Sequence, residues 1–120
     1  MAKAADAGIL SGSTNGRPLN ITATTSGGAQ TVHTVGASVD FEEVYLWATN
    51  ISASDATLFV GVGGVADEDM IVKGVTIPAN STPVPVCIGQ RFKGGVVVKA
   101  WAGTTAVINV TGGYTNATTG

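Results

Sequence analysis

The chain has 120 residues, a formal net charge of −2 and only 12% charged residues. This length favours a single domain, and the lysines and arginines are scattered, apart from Arg91 and Lys93. Because binding to phosphate backbones needs clustered positive charge, the sequence argues against a nucleic-acid partner. No apolar run approaches the roughly 20 residues of a membrane-spanning helix, and residues 1–13 lack the apolar stretch of a secretion signal. We therefore expect synthesis in a cytoplasm and no membrane partner.

Residues 1–18 are rich in small residues and show no hydrophobic period, which predicts an extended N-terminal arm. The following residues, 19–115, are predicted to form one β-domain, and residues 116–120 a short C-terminal tail.

The domain is predicted to contain about eight antiparallel strands. Short runs rich in valine, isoleucine and threonine, bounded by glycine, proline, asparagine or serine, are typical of strands. The predicted strands are 19–24, 30–35, 41–49, 56–63, 70–77, 84–89, 95–102 and 106–114. Their even spacing, with no helical pattern between them, predicts an all-β sandwich or jelly roll.

Three connections between these strands have a recognisable character. The segment "NISASD" (50–55) and the segment "AGTT" (102–105) are both predicted to close β-hairpins. The segment "PANSTP" (78–83) is predicted to be a corner, because proline cannot donate to a central ladder.

The third predicted strand carries apolar side chains on both of its faces. Val44 and Leu46 alternate with Tyr45 and Trp47, whereas a half-exposed strand has one polar face. In typical soluble domains about 25% of the residues are charged. We therefore expect a chain with so few charged residues to cover part of its surface with copies of itself or with a partner. We expect the large aromatic residues to pack in the core or at a subunit interface: Tyr45, Trp47, Phe59 and Trp101.

Candidate catalytic groups are isolated in the sequence. His33 lies within a predicted strand, and no carboxylate or nucleophile at a suggestive spacing accompanies it. We expect a packed or surface histidine, and a buried, inert thiol at Cys87, the single cysteine. The sequence predicts no enzymatic activity.

Candidate metal and phosphate motifs are equally weak. The acidic residues at 40–43 and 67–69 lack the ligand spacing of a calcium loop, so we expect solvated charges or contacts at an interface. The glycine-rich segment 61–66 lacks the lysine and the helix of a phosphate-binding loop. These glycines are expected at a strand end or bulge, and no metal or cofactor is predicted.

Three segments together resemble a family of small all-β virion proteins of tailed bacteriophages. Residues 43–50 have the form "EVxLWxxN", residues 76–81 the form "xIPAxS", and residues 94–102 a paired-glycine turn before a strand like "GLVVKAxA". The resemblance covers about residues 30–114, and its motifs are structural.

This resemblance implies a capsid decoration protein that binds the major capsid protein on the outer surface of the phage head and stabilises the shell. Such a protein is made in the host cytoplasm and forms closed homo-oligomers, among which we rank a trimer first. Residues 1–18 would then contact the shell, and the candidate contact residues are Ile9, Leu10, Arg17 and the directly following Leu19. Two alternatives remain open: another virion part, such as a head–tail connector, neck, tail or fibre-base protein, and a carbohydrate-binding module for host attachment.

Overall fold

The computed structural model describes the backbone of residues 4–37 and 39–118 and the side chains of residues 7–37 and 39–116. Within these ranges the chain forms nine strands and two single-turn 3-10 helices, Ser26–Gly28 and Asp67–Asp69. The strands are β1 (Ala4–Ile9), β2 (Leu19–Ile21), β3 (Gln30–Thr34), β4 (Phe41–Asn50), β5 (Ala56–Val62), β6 (Met70–Ile77), β7 (Val84–Phe92), β8 (Val97–Ala102) and β9 (Ile108–Thr118). No helix in the described ranges is long and apolar enough to cross a membrane.

The strands form two antiparallel sheets whose pairing is nested. One sheet has the order β1-β9-β4-β7, with β2 also paired to β9, and the other has the order β3-β8-β5-β6. Each strand pair therefore encloses the next pair along the chain: β2 with β9, β3 with β8, β4 with β7, and β5 with β6. This arrangement is a long two-stranded ribbon folded over on itself, which confirms the predicted all-β fold and makes it a jelly roll.

The core between the sheets is built from short branched and small side chains. In β4 every second residue is buried, because successive side chains of a strand point to opposite faces. Val44 and Leu46 are fully buried and meet Leu58 and Val60 of β5 and Val98 of β8 in one cluster. Burying each of these side chains stabilises the fold by about 1.5–3 kcal/mol.

Three of the four sheet edges are irregular. Gly89 in β7 and Gly74 in β6 have positive φ angles of 68° and 66°, and both strands shift register against their neighbours at these glycines. The edge of β3 is partly occupied, because the Gly12 N–H donates to the Val32 carbonyl oxygen. Bulges and covered edges discourage pairing with a foreign strand.

Two predicted hairpins are wrong. Strand β4 belongs to the larger sheet and β5 to the smaller one, so residues 51–55 cross between sheets. The same holds for β8 and β9, which residues 103–107 connect. The predicted corner at 78–83 does link the two sheets, from β6 to β7. Strand β5 ends at Val62, so the glycine-rich segment 61–66 lies at a strand end, which was one of its two predicted placements.

The N-terminal residues are not a separate arm before the first strand. Ala4–Ile9 forms β1, which pairs with Gly113–Thr118 of β9, and the next residue, Leu10, is 2% exposed in the core. The boundary predicted between an arm and the domain at residue 19 is therefore wrong, although a strand, β2, does begin at Leu19. Small residues such as those of β1 carry a weak strand signal, because they offer little side-chain surface to pack.

The C-terminal boundary also differs from the prediction. β9 continues through Asn116, which pairs with Asp6, to Thr118. The described part of the predicted tail, residues 116–118, therefore belongs to the sheet.

Gly112 is predicted to be the glycine least tolerant of substitution. It has a φ of 151°, and a Cβ built on it would collide with the backbone carbonyl of Tyr45 in β4. We expect Gly112→Ala to lower the free energy of unfolding by roughly 3–5 kcal/mol. The measurement is urea denaturation. Gly27→Ala is the matched control, because its Cβ would meet no atom within 4 Å; equal losses in the two variants would contradict the prediction.

Candidate functional site

The outer face of the larger sheet carries a row of apolar residues in cross-strand register. Ile9 of β1 lies opposite Gly113 of β9, which lies opposite Tyr45 of β4, which lies opposite Ile88 of β7. Ile9 and Ile88 are 52% and 54% exposed. The row therefore places Ile9, Tyr45 and Ile88 on one face, and between Ile9 and Tyr45 the strand β9 contributes only Gly113.

Trp47 extends this row along β4. Its ring lies 6.3 Å from that of Tyr45, and the two ring planes differ by 13°. Trp47 also faces the exposed Pro85 of the neighbouring β7. We call Ile9, Tyr45, Trp47, Pro85 and Ile88 the outer apolar patch.

The rim of the outer apolar patch is polar. The Arg91 Nε donates to the Glu43 carboxylate at 3.0 Å, and the Thr115 hydroxyl donates to the other oxygen of the same carboxylate at 3.2 Å. The Arg91 guanidinium also lies 4.7 Å from the centre of the Phe41 ring. An apolar centre with a hydrogen-bonded rim is the usual anatomy of a protein interface.

A second aromatic pair lies on the outer face of the smaller sheet. Phe59 and Trp101 are cross-strand neighbours, and their rings stack at 4.9 Å with an angle of 1° between the planes. Trp101 is only 9% exposed. All four aromatic residues singled out from the sequence therefore lie on outer faces.

The predicted capsid-contact residues separate into different environments. Ile9 belongs to the outer apolar patch, whereas Leu10 is buried in the core and Leu19 of β2 packs against that core. Arg17 is exposed in the connection between β1 and β2. They do not form one free arm, because β1 and β2 both pair with β9.

His33 forms a buried network that the sequence did not predict. The ring is 2% exposed and Glu42 is 3% exposed, and the His33 Nε2 lies 2.6 Å from the Glu42 Oε1. The Ser11 N–H donates to the His33 Nδ1 at 3.0 Å, and the Gly36 N–H donates to the Glu42 Oε2 at 3.0 Å. The predicted packed histidine is confirmed, but it does have a carboxylate partner. A nine-residue separation across a loop carries no signal of this contact.

The acidic groups have separate roles in the structure. In β4 Glu42 points into the protein, while Glu43 on the opposite face binds Arg91. The exposed Asp67 contacts Lys73 at 3.1 Å. No group of three or more histidine, cysteine or acidic side chains within the described ranges is arranged to hold a metal ion.

The surface hollows are shallow and hold no catalytic constellation. One, of about 310 Å³, lies beside Lys99 and is lined by Gly63, Gly64, Gly95 and two valines. Another, of about 200 Å³, is lined by Asp55 and by threonines. Neither of these two hollows is lined by a histidine or a cysteine, and we take the outer apolar patch as the candidate functional surface.

No family model, curated protein or solved structure matches the chain.

Cys87 is predicted to react slowly with thiol reagents. The side chain is 3% exposed, its Sγ donates to the Val44 carbonyl oxygen at 3.3 Å, and burial raises its pKa above the ordinary value of a thiol. Since the thiolate is the reactive form, we expect the folded protein to react at least about tenfold more slowly than the urea-unfolded chain with a disulfide reagent at pH 8. A cysteine at the exposed Thr24 is the control and should react fast in both states; equally fast reaction of Cys87 when folded would contradict the expectation.

Proposed function

We propose that the protein is a non-enzymatic capsid decoration protein of a tailed bacteriophage, which binds the major capsid protein on the head surface. The outer apolar patch is the observation that carries this proposal. The patch combines exposed isoleucines with half-buried aromatics and a polar rim, which is what a protein-binding surface requires. The resemblance of residues 43–50, 76–81 and 94–102 to virion proteins supplies the biological setting.

The edges of the sheets favour docking through a face. Because β3, β6 and β7 are bulged or partly covered, a partner gains little from adding a strand there. A flat β-face instead offers a rigid surface that loses little entropy on binding. The patch crosses four strands, a width of roughly 14 Å at the usual strand spacing.

The size of the patch favours assembly with several partners. A patch of these dimensions covers a few hundred Å², whereas a stable interface buries roughly 800 Å² on each side. The rest of the contact must therefore come from neighbouring surfaces, such as the exposed loop that contains Arg17. A closed homotrimer at a local three-fold position of the shell would combine contacts to the capsid with contacts between copies.

The jelly roll agrees with this role but does not establish it. Jelly rolls occur in viral capsid proteins and also in lectins, and one fold supports many functions. Other positions in the particle, such as a connector, neck, tail or fibre base, would use the same outer apolar patch with a different symmetry.

Host attachment through carbohydrate is a second candidate function. It is favoured by the nearly parallel rings of Tyr45 and Trp47 on an open sheet face, because flat aromatic surfaces pack well against the apolar faces of sugar rings. A glycan array separates the two functions, since decoration predicts binding to capsids and no sugar signal.

The outer apolar patch is predicted to be required for capsid binding. The test mixes wild-type protein and Ile88→Glu with expanded capsids that lack the protein. We expect at least a tenfold loss of affinity, about 1.4 kcal/mol, because the substitution places a charge in a desolvated contact. Val75→Glu is the matched control, since Val75 is 45% exposed but lies on the edge strand of the other sheet.

Equal binding by Ile88→Glu and the wild type would refute docking through this face.

Light scattering of the isolated protein tests the oligomeric state. A trimer of 11.9 kDa chains has a mass of about 36 kDa. The number of copies per particle separates decoration, with hundreds, from a connector ring or a fibre.

A further inference from the structure

We propose that His33 is a proton-sensitive latch that holds the N-terminal segment, residues 4–12, on the sandwich. The segment contains β1, the buried Leu10, and the residues Ser11 and Gly12 that contact β3. Its attachment depends on a hydrogen bond that a neutral imidazole can accept and an imidazolium cannot.

The hydrogen bonds define the protonation state of the closed latch. The Ser11 N–H is a donor, and it points at the His33 Nδ1 from 3.0 Å, so Nδ1 must offer a lone pair. A neutral imidazole with an acceptor at Nδ1 carries its proton on Nε2. That proton is donated to the Glu42 Oε1 at 2.6 Å. The closed latch is therefore a neutral histidine beside an ionised glutamate.

Further contacts make Ser11 the attachment point of the segment. The Thr34 N–H donates to the Ser11 Oγ at 2.7 Å, and the Gly12 N–H donates to the Val32 carbonyl oxygen at 2.9 Å. These bonds and the burial of Leu10 add to the pairing of β1 with β9 at the edge of the sheet. A single edge strand is easily detached once its anchor is lost.

Protonation changes one side of the ring only. A proton added at Nδ1 would face the Ser11 N–H, placing two donors opposite each other at a part-buried contact. The contact between Nε2 and Glu42 joins β3 to β4, so it persists whether the segment is attached or detached. Detachment then lets water hydrate Nδ1–H while the ion pair with Glu42 is kept, and acid therefore favours the open state.

The surroundings of the ring contain few other ionisable groups. The Tyr114 ring of β9 packs against the His33 ring in a tilted arrangement, with the ring centres 4.7 Å apart and an angle of 30° between the planes. Val98 on β8 is the cross-strand neighbour of His33. Glu42 and Tyr114 are the ionisable side chains in contact with the ring among the described residues. We therefore assign the expected effect of pH on the attachment of residues 4–12 to protonation of the His33 Nδ1.

The sign of the effect follows from proton binding. The closed state binds no proton at Nδ1 and the open state can bind one. The open fraction must therefore rise as the pH falls. Over the pH interval in which the open state has bound this proton and the closed state has not, the equilibrium constant for opening is expected to rise by about tenfold per pH unit.

Two substitutions of His33 separate the two ring nitrogens. In His33→Asn the side-chain oxygen takes the place of Nδ1, so the acceptor for the Ser11 N–H is kept without a titratable group. In His33→Gln the side-chain nitrogen takes the place of Nε2, so the donor to Glu42 is kept and the acceptor is lost. Neither side chain changes charge with pH.

The test is amide hydrogen exchange of the full chain from about pH 7.5 to about pH 5, expressed as protection factors. In the wild type we expect the amides of residues 5–12 to lose at least tenfold in protection at low pH, while those of Val44 and Leu46 keep theirs. His33→Asn should stay protected at both pH values, and His33→Gln should be unprotected at both. The core amides report whether each variant is folded.

Three results would overturn the proposal. These are constant protection of the wild-type segment, an equal loss in His33→Asn, or a neutral-pH nitrogen NMR spectrum that shows the proton on Nδ1. The spectrum is unambiguous, because the chain contains a single histidine.

Discussion

The pairing of β4 with β9 at the centre of the larger sheet is the contact on which the other parts of the fold depend. The two strands align without a register shift from Phe41 with Ala117 to Asn50 with Ile108. Both N-terminal strands pair with β9, and β7 pairs with β4, so the remainder of this sheet is assembled on that central pair. Because the partners lie far apart in the sequence, most of the loop-closure entropy must be lost before the sheet can form, and folding is expected to be slow.

The size of the core side chains explains why Tyr45, Trp47, Phe59 and Trp101 lie on the outer faces. The fully buried apolar positions hold leucine, isoleucine, valine and alanine, and these residues, with the partly buried Tyr114 and Phe92 packed against them, fill the space of about 10 Å between packed sheets. Trp101 is covered on the outer face by stacking with Phe59, but Tyr45 and Trp47 stay half-buried beside the exposed Ile88. In a chain with 12% charged residues, this unequal covering leaves the larger sheet with the more exposed apolar outer face.

The sequence predicted strands well and their connections poorly. Alternation and turn residues locate β6 at its observed bounds and β4 to within one residue, because each strand's pattern is local. A polar turn such as 51–55 has the same composition whether its strands pair or cross between sheets, so both predicted hairpins were wrong. β1 was missed because small residues carry little pattern. The contact of His33 with Glu42 depends on how the fold places β3 beside β4. The spacing of residues along the sequence does not predict that placement.

The N-terminal segment connects the buried network to the candidate docking face. Ile9 forms one end of the outer apolar patch, and the next residues, Leu10 and Ser11, are held by the core and by His33. Only two peptide bonds lie between Ile9 and Ser11. A conformational change at Ser11 therefore also moves Ile9, a residue of the outer apolar patch. Loss of β1 would remove Ile9 from the row and uncover the β9 strand beside Gly113. The protonation state of one buried ring thus decides whether the patch spans four strands or three, which links the shape of the docking surface to pH.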